Sequence, residues 1–146
     1  MSPPLRIGQY SIVRQIGSGA TSDVYLAMRD NSFSTVAIKQ FRNVFQSDWH
    51  KNMFLTEVEL GQKLLHKNIV HVFNADMNEK SGAYLVMEFV NGASLDRHEY
   101  SDNLLPIKTV LSVIEQIANA LSYAADIDIV HRDVKPANII LMPTGT

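Results

Sequence analysis

His131-Arg132-Asp133-Val134-Lys135-Pro136-Ala137-Asn138-Ile139-Ile140-Leu141 is a dense polar stretch that runs into an apolar one, and Ile129-Val130 precedes it. A carboxylate at 133 can orient a hydroxyl and take its proton. An ammonium at 135 can neutralise a phosphoryl group in transfer, and the amide oxygen of Asn138 can hold a metal ion. The plain alternative is a solvated loop with scattered charge. Eight residues of these types at this spacing, flanked by β-branched residues, argue against it.

Upstream, the texture is helical. Pro106 suits the first position of a long helix. Val110, Ile114, Ile117, Leu121 and Ala124 then step by four, three, four and three, the period of a buried helix face. Ser94 can cap a short helix over 95–100. Asn91-Gly92-Ala93 marks a break, and no strand is read between it and Val130.

Before the break the chain reads as strands with one helix. Strands are predicted over 10–16, 24–28, 35–41, 69–73 and 84–90, with Asn78-Glu79-Lys80-Ser81-Gly82 as the turn between the last two. Ser47 or Asp48 can open a helix whose apolar stripe is Phe54, Val58, Leu60, Leu64 and Leu65. Gly61 interrupts that stripe at a cost of about 1 kcal/mol relative to Ala.

Two further constellations stand in this half. Gly17-Ser18-Gly19-Ala20-Thr21-Ser22 joins two strands. Glycines there let backbone N–H groups approach phosphate oxygens, although a plain hairpin turn accounts for them equally well. It is not a Walker-type loop, since no Gly-Lys-Ser/Thr follows. In Val36-Ala37-Ile38-Lys39, strand alternation puts Ala37 and Lys39 on one face. A Lys turned inward needs a partner, and Glu57 and Glu59 on the next helix are the candidates. An exposed lysine on an edge strand is the alternative.

Composition bounds the rest. The 146 residues hold 13 Lys plus Arg against 15 Asp plus Glu, a net charge of −2, with 46% apolar residues and no Cys. That supports a core, and argues against an electrostatic nucleic-acid binder. It also removes disulfides, cysteine zinc sites and thiol nucleophiles. Met1-Ser2-Pro3-Pro4 lacks a secretory pattern, and no run approaches the ~18 apolar residues of a membrane span. The expectation is a cytoplasmic protein; a tether outside this segment stays open.

Glycine turn, Val-Ala-Ile-Lys strand and His-Arg-Asp-Val-Lys-Pro-Ala-Asn loop, in that order, resemble the signature of eukaryotic-type serine/threonine protein kinases, and the loop wording resembles bacterial members. The resemblance runs from about Tyr10 to the end. It implies an α+β kinase-like fold: a five-stranded antiparallel lobe with one helix over residues 1–91, and the start of a helical lobe over 92–146, with a cleft between. It implies ATP and Mg²⁺ as cofactors and proteins bearing Ser or Thr as substrates.

Residue by residue, Gly17, Ser18 and Gly19 match the nucleotide loop, with Ser22 where a third glycine usually sits. Ile16, Val24 and Ala37 match the residues around adenine, Met87 the gatekeeper, Glu88 and Val90 the hinge, and Ile140 the pocket floor. Lys39 matches the α- and β-phosphate lysine. Glu57, nine residues before His66-Lys67-Asn68-Ile69-Val70, matches its helix partner. Asp133 matches the catalytic base, Lys135 the phosphate-neutralising lysine and Asn138 a magnesium ligand. A Lys two residues after Asp133 resembles Ser/Thr rather than tyrosine kinases. Arg132 resembles kinases switched on by activation-loop phosphorylation.

Two departures qualify the resemblance. No Asp-Phe-Gly occurs in the 146 residues, so the chain is expected to be the front part of a longer domain and inactive alone, with the 107–125 helix short of packing surface. Gly61 stands where the family has an apolar side chain. Either it loosens the helix, or a neighbour fills the gap. The other functional readings are a pseudokinase or nucleotide-binding interaction module and, more weakly, a small-molecule phosphotransferase. The next ~15 residues of the gene discriminate, since a magnesium-binding Asp belongs there.

Overall fold

The computed structural model of the chain describes residues 2–100 and 102–146. The chain divides into two compact units. One comprises the chain up to Leu64 together with His71–Phe89; the other comprises Leu65–Val70 and Val90–Thr146.

The first unit is an antiparallel sheet of β1 (Arg6–Ile7), β2 (Tyr10–Ser18), β3 (Ser22–Arg29), β4 (Thr35–Phe41), β5 (Val72–Asn78) and β6 (Gly82–Glu88), with helix α1 (Asp48–Lys63) between β4 and β5. The order across the sheet is β1-β2-β3-β4-β6-β5. The five expected strands are joined by a sixth, the two-residue edge strand β1. It forms because Gly8 turns the chain at φ +56° and lets Ile7, 1% exposed, enter the core beside Tyr10.

Two expected strands are shifted along the chain. The strand predicted at 69–73 starts at Val72 and runs to Asn78, and the one predicted at 84–90 is Gly82–Glu88. Asn74, Asp76 and Asn78 disguise β5, because these residues disfavour strands. An edge position tolerates them: they are the polar half of an alternation whose other half, Ala75 and Met77, packs inward.

Apolar residues are buried on both faces of the sheet. Tyr84 and Val86 join Ile7, Tyr10, Tyr25, Ala27 and Ile38 on one. Ala83 and Leu85 join Phe41, Val44 and Phe54 on the other, under α1. Four consecutive buried residues on β6 thus follow from a strand covered twice. Phe41 and Phe54 meet edge to face at 5.3 Å between centroids, pinning α1 to the sheet.

Ser47 sits at the cap position of α1 without a side-chain capping bond, and the helix ends at Lys63, short of Leu64 and Leu65. Gly61 is explained by packing. A Cβ there would lie 2.6 Å from Val72 Cγ2 and 2.9 Å from Val72 Cβ, so the neighbour fills the gap.

The second unit holds α2 (Ile107–Asp126) and a short antiparallel pair, β7 (Ala93–Ser94) with β8 (Ile140–Leu141). β7 is a strand where none was expected, and the helix predicted at 95–100 is a 3₁₀ turn over Leu95–His98. Pro106 stands just before α2 rather than in its first turn. Ser94 makes no capping bond.

The expected buried stripe of α2 needs correcting. Val113, Ala120 and Ala124 are buried, whereas Val110, Ile114 and Leu121 are exposed. Those three line an open apolar groove of about 380 Å³ with Leu95, Val134 and Ile139. Leu65–Val70 belongs with this unit because it bonds to α2. Leu65 N–H donates to Tyr123 Oη at 2.9 Å, Asn68 Nδ2 donates to Gln116 Oε1 at 2.8 Å, and the His66 and Tyr123 rings lie 5.2 Å apart. Among the described residues no helix is long and apolar enough to cross a membrane.

Candidate active site

In the first unit, β4 lies between β3 and β6, so Lys39 is not on an edge strand. Its register partners are Val24 on β3 and Leu85 on β6, while Ala37 pairs with Leu26 and Met87. Directly opposed residues share a face, so Val24, Ala37, Lys39 and Met87 lie together on the α1 side. Glu57 reaches Lys39 from α1: Nζ donates to both carboxylate oxygens, at 2.7 and 2.9 Å. The ammonium also stands 5.1 Å from the centre of the Phe41 ring. Glu59 turns away and pairs with Lys63 at 2.8 Å.

The Gly17–Ser22 turn closes the β2–β3 hairpin. Gly17 pairs with Val24 and Ser18 with Asp23, and the register slips between Gln15 and Gly17. Ile16 is therefore the extra residue of a bulge, a device that re-aims a side chain, and it is exposed. Neither Gly17 nor Gly19 has a positive φ. A Cβ on Gly17 would come no closer than 3.6 Å to Val24, and on Gly19 no closer than 3.8 Å to Ser22 O. The chain's own packing does not require glycine at either place.

Asp23, Gln15 and Arg42 are participants that the sequence reading missed. Asp23 accepts from Ser18 Oγ at 2.7 Å and pairs with Arg42 at 2.8 Å, and the Ser18 bond followed by Arg42 holds its carboxyl below the usual carboxylate range. Nothing in spacing alone announces such a group.

At the far end of β6, Glu88 N–H donates to His71 O at 2.8 Å, and His71 N–H donates back to the Glu88 carboxylate at 3.3 Å. Its neighbour in the expected set, Val90, belongs to the second unit, as does Ile140.

In that second unit the 131–138 stretch folds on itself. Lys135 Nζ lies 3.3 Å from Asp133 Oδ2. Asn138 Nδ2 donates to Asp133 O at 2.9 Å and to Asp133 Oδ2 at 3.3 Å. Asp133 N–H donates to His131 Nδ1 at 3.0 Å. A 3₁₀ turn over Pro136–Asn138 brings Asn138 back toward Asp133. The β7–β8 pair anchors the loop, and Ser94 Oγ reaches Pro136 O at 3.2 Å and Ala137 O at 3.3 Å. Ser94, expected to cap a helix, instead gives its hydroxyl to the loop, a role its sequence position did not announce.

Asp133, Lys135 and Asn138 are all exposed, so a hydroxyl-bearing molecule can reach the carboxylate. With its N–H group turned to Asp133, Asn138 presents its carbonyl oxygen as a hard donor of the kind Mg²⁺ takes. Among the described residues no group of three or more His, Asp or Glu side chains is gathered for a metal. The donor set fits part of a magnesium site.

An antiparallel sheet crossed by one helix, a lysine on its middle strand paired to that helix, and a separate His-Arg-Asp loop together define a protein-kinase-like molecule. The chain belongs to the protein kinase domain family, whose model matches residues 10–146.

It is 37% identical over 140 residues to the serine/threonine-protein kinase PrkC of Bacillus subtilis, covering 94% of this chain and 21% of that protein. It is 34% identical over 153 residues to PknA of Mycobacterium tuberculosis, covering 99% of this chain and 36% of that protein. A crystal structure of the Mycobacterium tuberculosis PknI kinase domain superposes with a TM-score of 0.74 at 28% identity, over 95% of this chain and 57% of that one. The chain thus spans well under half the length of these two curated relatives.

Proposed function

We propose that this chain carries the nucleotide-binding sheet and the catalytic loop of a bacterial-type serine/threonine protein kinase, which moves the γ-phosphoryl group of ATP onto a Ser or Thr hydroxyl of a protein. The observation that carries the reading is that Lys135 and Asn138 both come within 3.3 Å of the Asp133 carboxylate. The names of PrkC and PknA as serine/threonine kinases support it.

In this reading Ile16, Val24, Ala37 and Met87 flank adenine, and backbone groups of Glu88 bond its edge. Gly17, Ser18 and Gly19 cover the phosphates, and the bare glycines leave room there that the chain itself does not use. Lys39, held by Glu57, takes the α- and β-phosphates.

The substrate hydroxyl sits against Asp133. Its oxygen bonds to the γ-phosphorus as the bond to the bridging oxygen breaks. ADP leaves with the electron pair, and the proton goes to Asp133. Lys135 offsets the charge spreading over the transferred group. Asn138 is the residue here suited to hold Mg²⁺, which supplies further charge neutralisation when bound. ATP chemistry and the cysteine-free composition fit the cytoplasm.

The test is transfer of labelled phosphate by the gene's full product, to protein substrates and to itself. Asp133→Asn is expected to lower turnover by about 10²–10⁴-fold, the usual weight of a general base. The 146 residues alone, with no Asp-Phe-Gly aspartate, are expected to transfer nothing. An inert full product that still binds ATP would make the protein a pseudokinase.

A further inference from the structure

The glycine turn is held by a clamp built from residues outside it. Arg42 follows β4 and has three attachments at this hairpin end, two to the turn and one to Asp23. Its guanidinium donates to Gly19 O, the same group pairs with the Asp23 carboxylate at 2.8 Å, and its backbone N–H donates to Thr21 O at 2.8 Å. Asp23 in turn accepts from Ser18 Oγ at 2.7 Å and from Gln15 Nε2 at 3.3 Å, and Gln15 Nε2 also donates to Gly17 O at 3.2 Å. One carboxylate and one guanidinium therefore tie both limbs of the hairpin end. A turn with two glycines has many other conformations open to it, and fixing one in advance removes an ordering cost from ligand binding.

We infer that Arg42 and Asp23 form a positioning brace that holds the Gly17–Ser22 turn in the shape that covers a nucleotide's phosphates. The inference rests on the nucleotide reading of that turn and adds to it two residues that touch no substrate. The brace is directional. Removing Arg42 frees the turn and leaves the Asp23 carboxylate unpaired beside a polyanion. Removing Asp23 frees the turn but leaves a cation there. If Arg42 acted by touching phosphate itself, loss of Asp23 would release it and tighten ATP binding. A brace requires the opposite.

The experiment measures the affinities of ATP and of adenosine for the gene's full product and its variants. Adenosine has no phosphates for the turn to cover, so it reports whether the rest of the pocket is intact. Arg42→Ala and Asp23→Ala are each expected to weaken ATP about fivefold while adenosine changes less than twofold, a size in keeping with part-exposed charge-assisted hydrogen bonds. The double variant is expected to lose no more than either single one, because the two side chains act as a unit.

An unchanged ratio of ATP to adenosine affinity in Arg42→Ala would overturn the brace, as would tighter ATP binding in Asp23→Ala. Where melting shows that an alanine variant does not fold, Arg42→Lys takes its place. It keeps the charge and loses the double grip, so an intermediate loss is expected, and an unchanged ratio overturns the brace. A wild-type protein that binds no ATP would overturn the nucleotide reading itself, a result distinct from one in which the wild type binds and the variants match it.

Discussion

Lys39 shows how far a single residue can be read. Its alternation on β4 and its need for a partner were legible, and the resemblance selected Glu57 over Glu59. Its position away from the sheet edges was not, because strand order depends on the non-local pairing of β4 with β6. Gly61 teaches the reverse. By sequence it is a helix defect; in three dimensions Val72 occupies the place of its side chain. Gly61→Ala gains about 1 kcal/mol of helix propensity and meets overpacking worth about 1–3 kcal/mol. A net loss of about 1 kcal/mol is expected in urea unfolding. With Val72→Ala in the same chain the two changes should be less costly than their sum. Strict additivity would mean that the two positions do not compete for space.

At the scale of elements, the legible parts are those with a local period. α1, the β2–β3 hairpin and the helical character of 107–126 follow from repeats within one segment. β5 and β7 do not: Asn and Asp break the apolar pattern of β5, which becomes a strand by pairing with β6, and β7 forms only against the distant Ile140–Leu141. The 131–138 loop is likewise legible in its residues and not in its anchor. Ser94 ties the β7 strand to Pro136 and Ala137, so Ser94→Ala should loosen the turn that returns Asn138 to Asp133. Turnover of the gene's full product is expected to fall about two- to tenfold with the KM for ATP unchanged, the loss of one hydrogen bond. A change in KM alone would place the role of Ser94 elsewhere.

For the whole molecule, acid sensitivity follows from three carboxylates that ion pairs or hydrogen bonds hold below their usual range. Asp23 is held by Ser18 and Arg42, Asp30 by Arg6, and Glu59 by Lys63. A depressed folded value means that the contribution is complete above the unfolded value and is lost as pH falls through the folded one. Resistance to urea should therefore be level from about pH 7 to 5 and fall below about pH 4. Asp23→Ala should shallow that fall. A protein equally stable at pH 3 and pH 7 would contradict the arrangement. What sequence could not supply at this scale is the grouping of Leu65–Val70 with α2, since its bonds run to Tyr123 and Gln116, 58 and 48 residues further on.

Gly17 and Gly19 have a practical consequence for engineering. A screen that rewards heat resistance sees only the free protein. There, alanine at a compatible glycine is worth about 0.4–1 kcal/mol through the unfolded chain. Such a screen would accept alanine at both positions and select a sturdier protein with less room at this turn. Gly19→Ala is expected to melt a few degrees higher and to bind ATP more weakly than the parent, by scanning calorimetry and titration of the same sample. At this turn, selection for durability and selection for use pull in opposite directions.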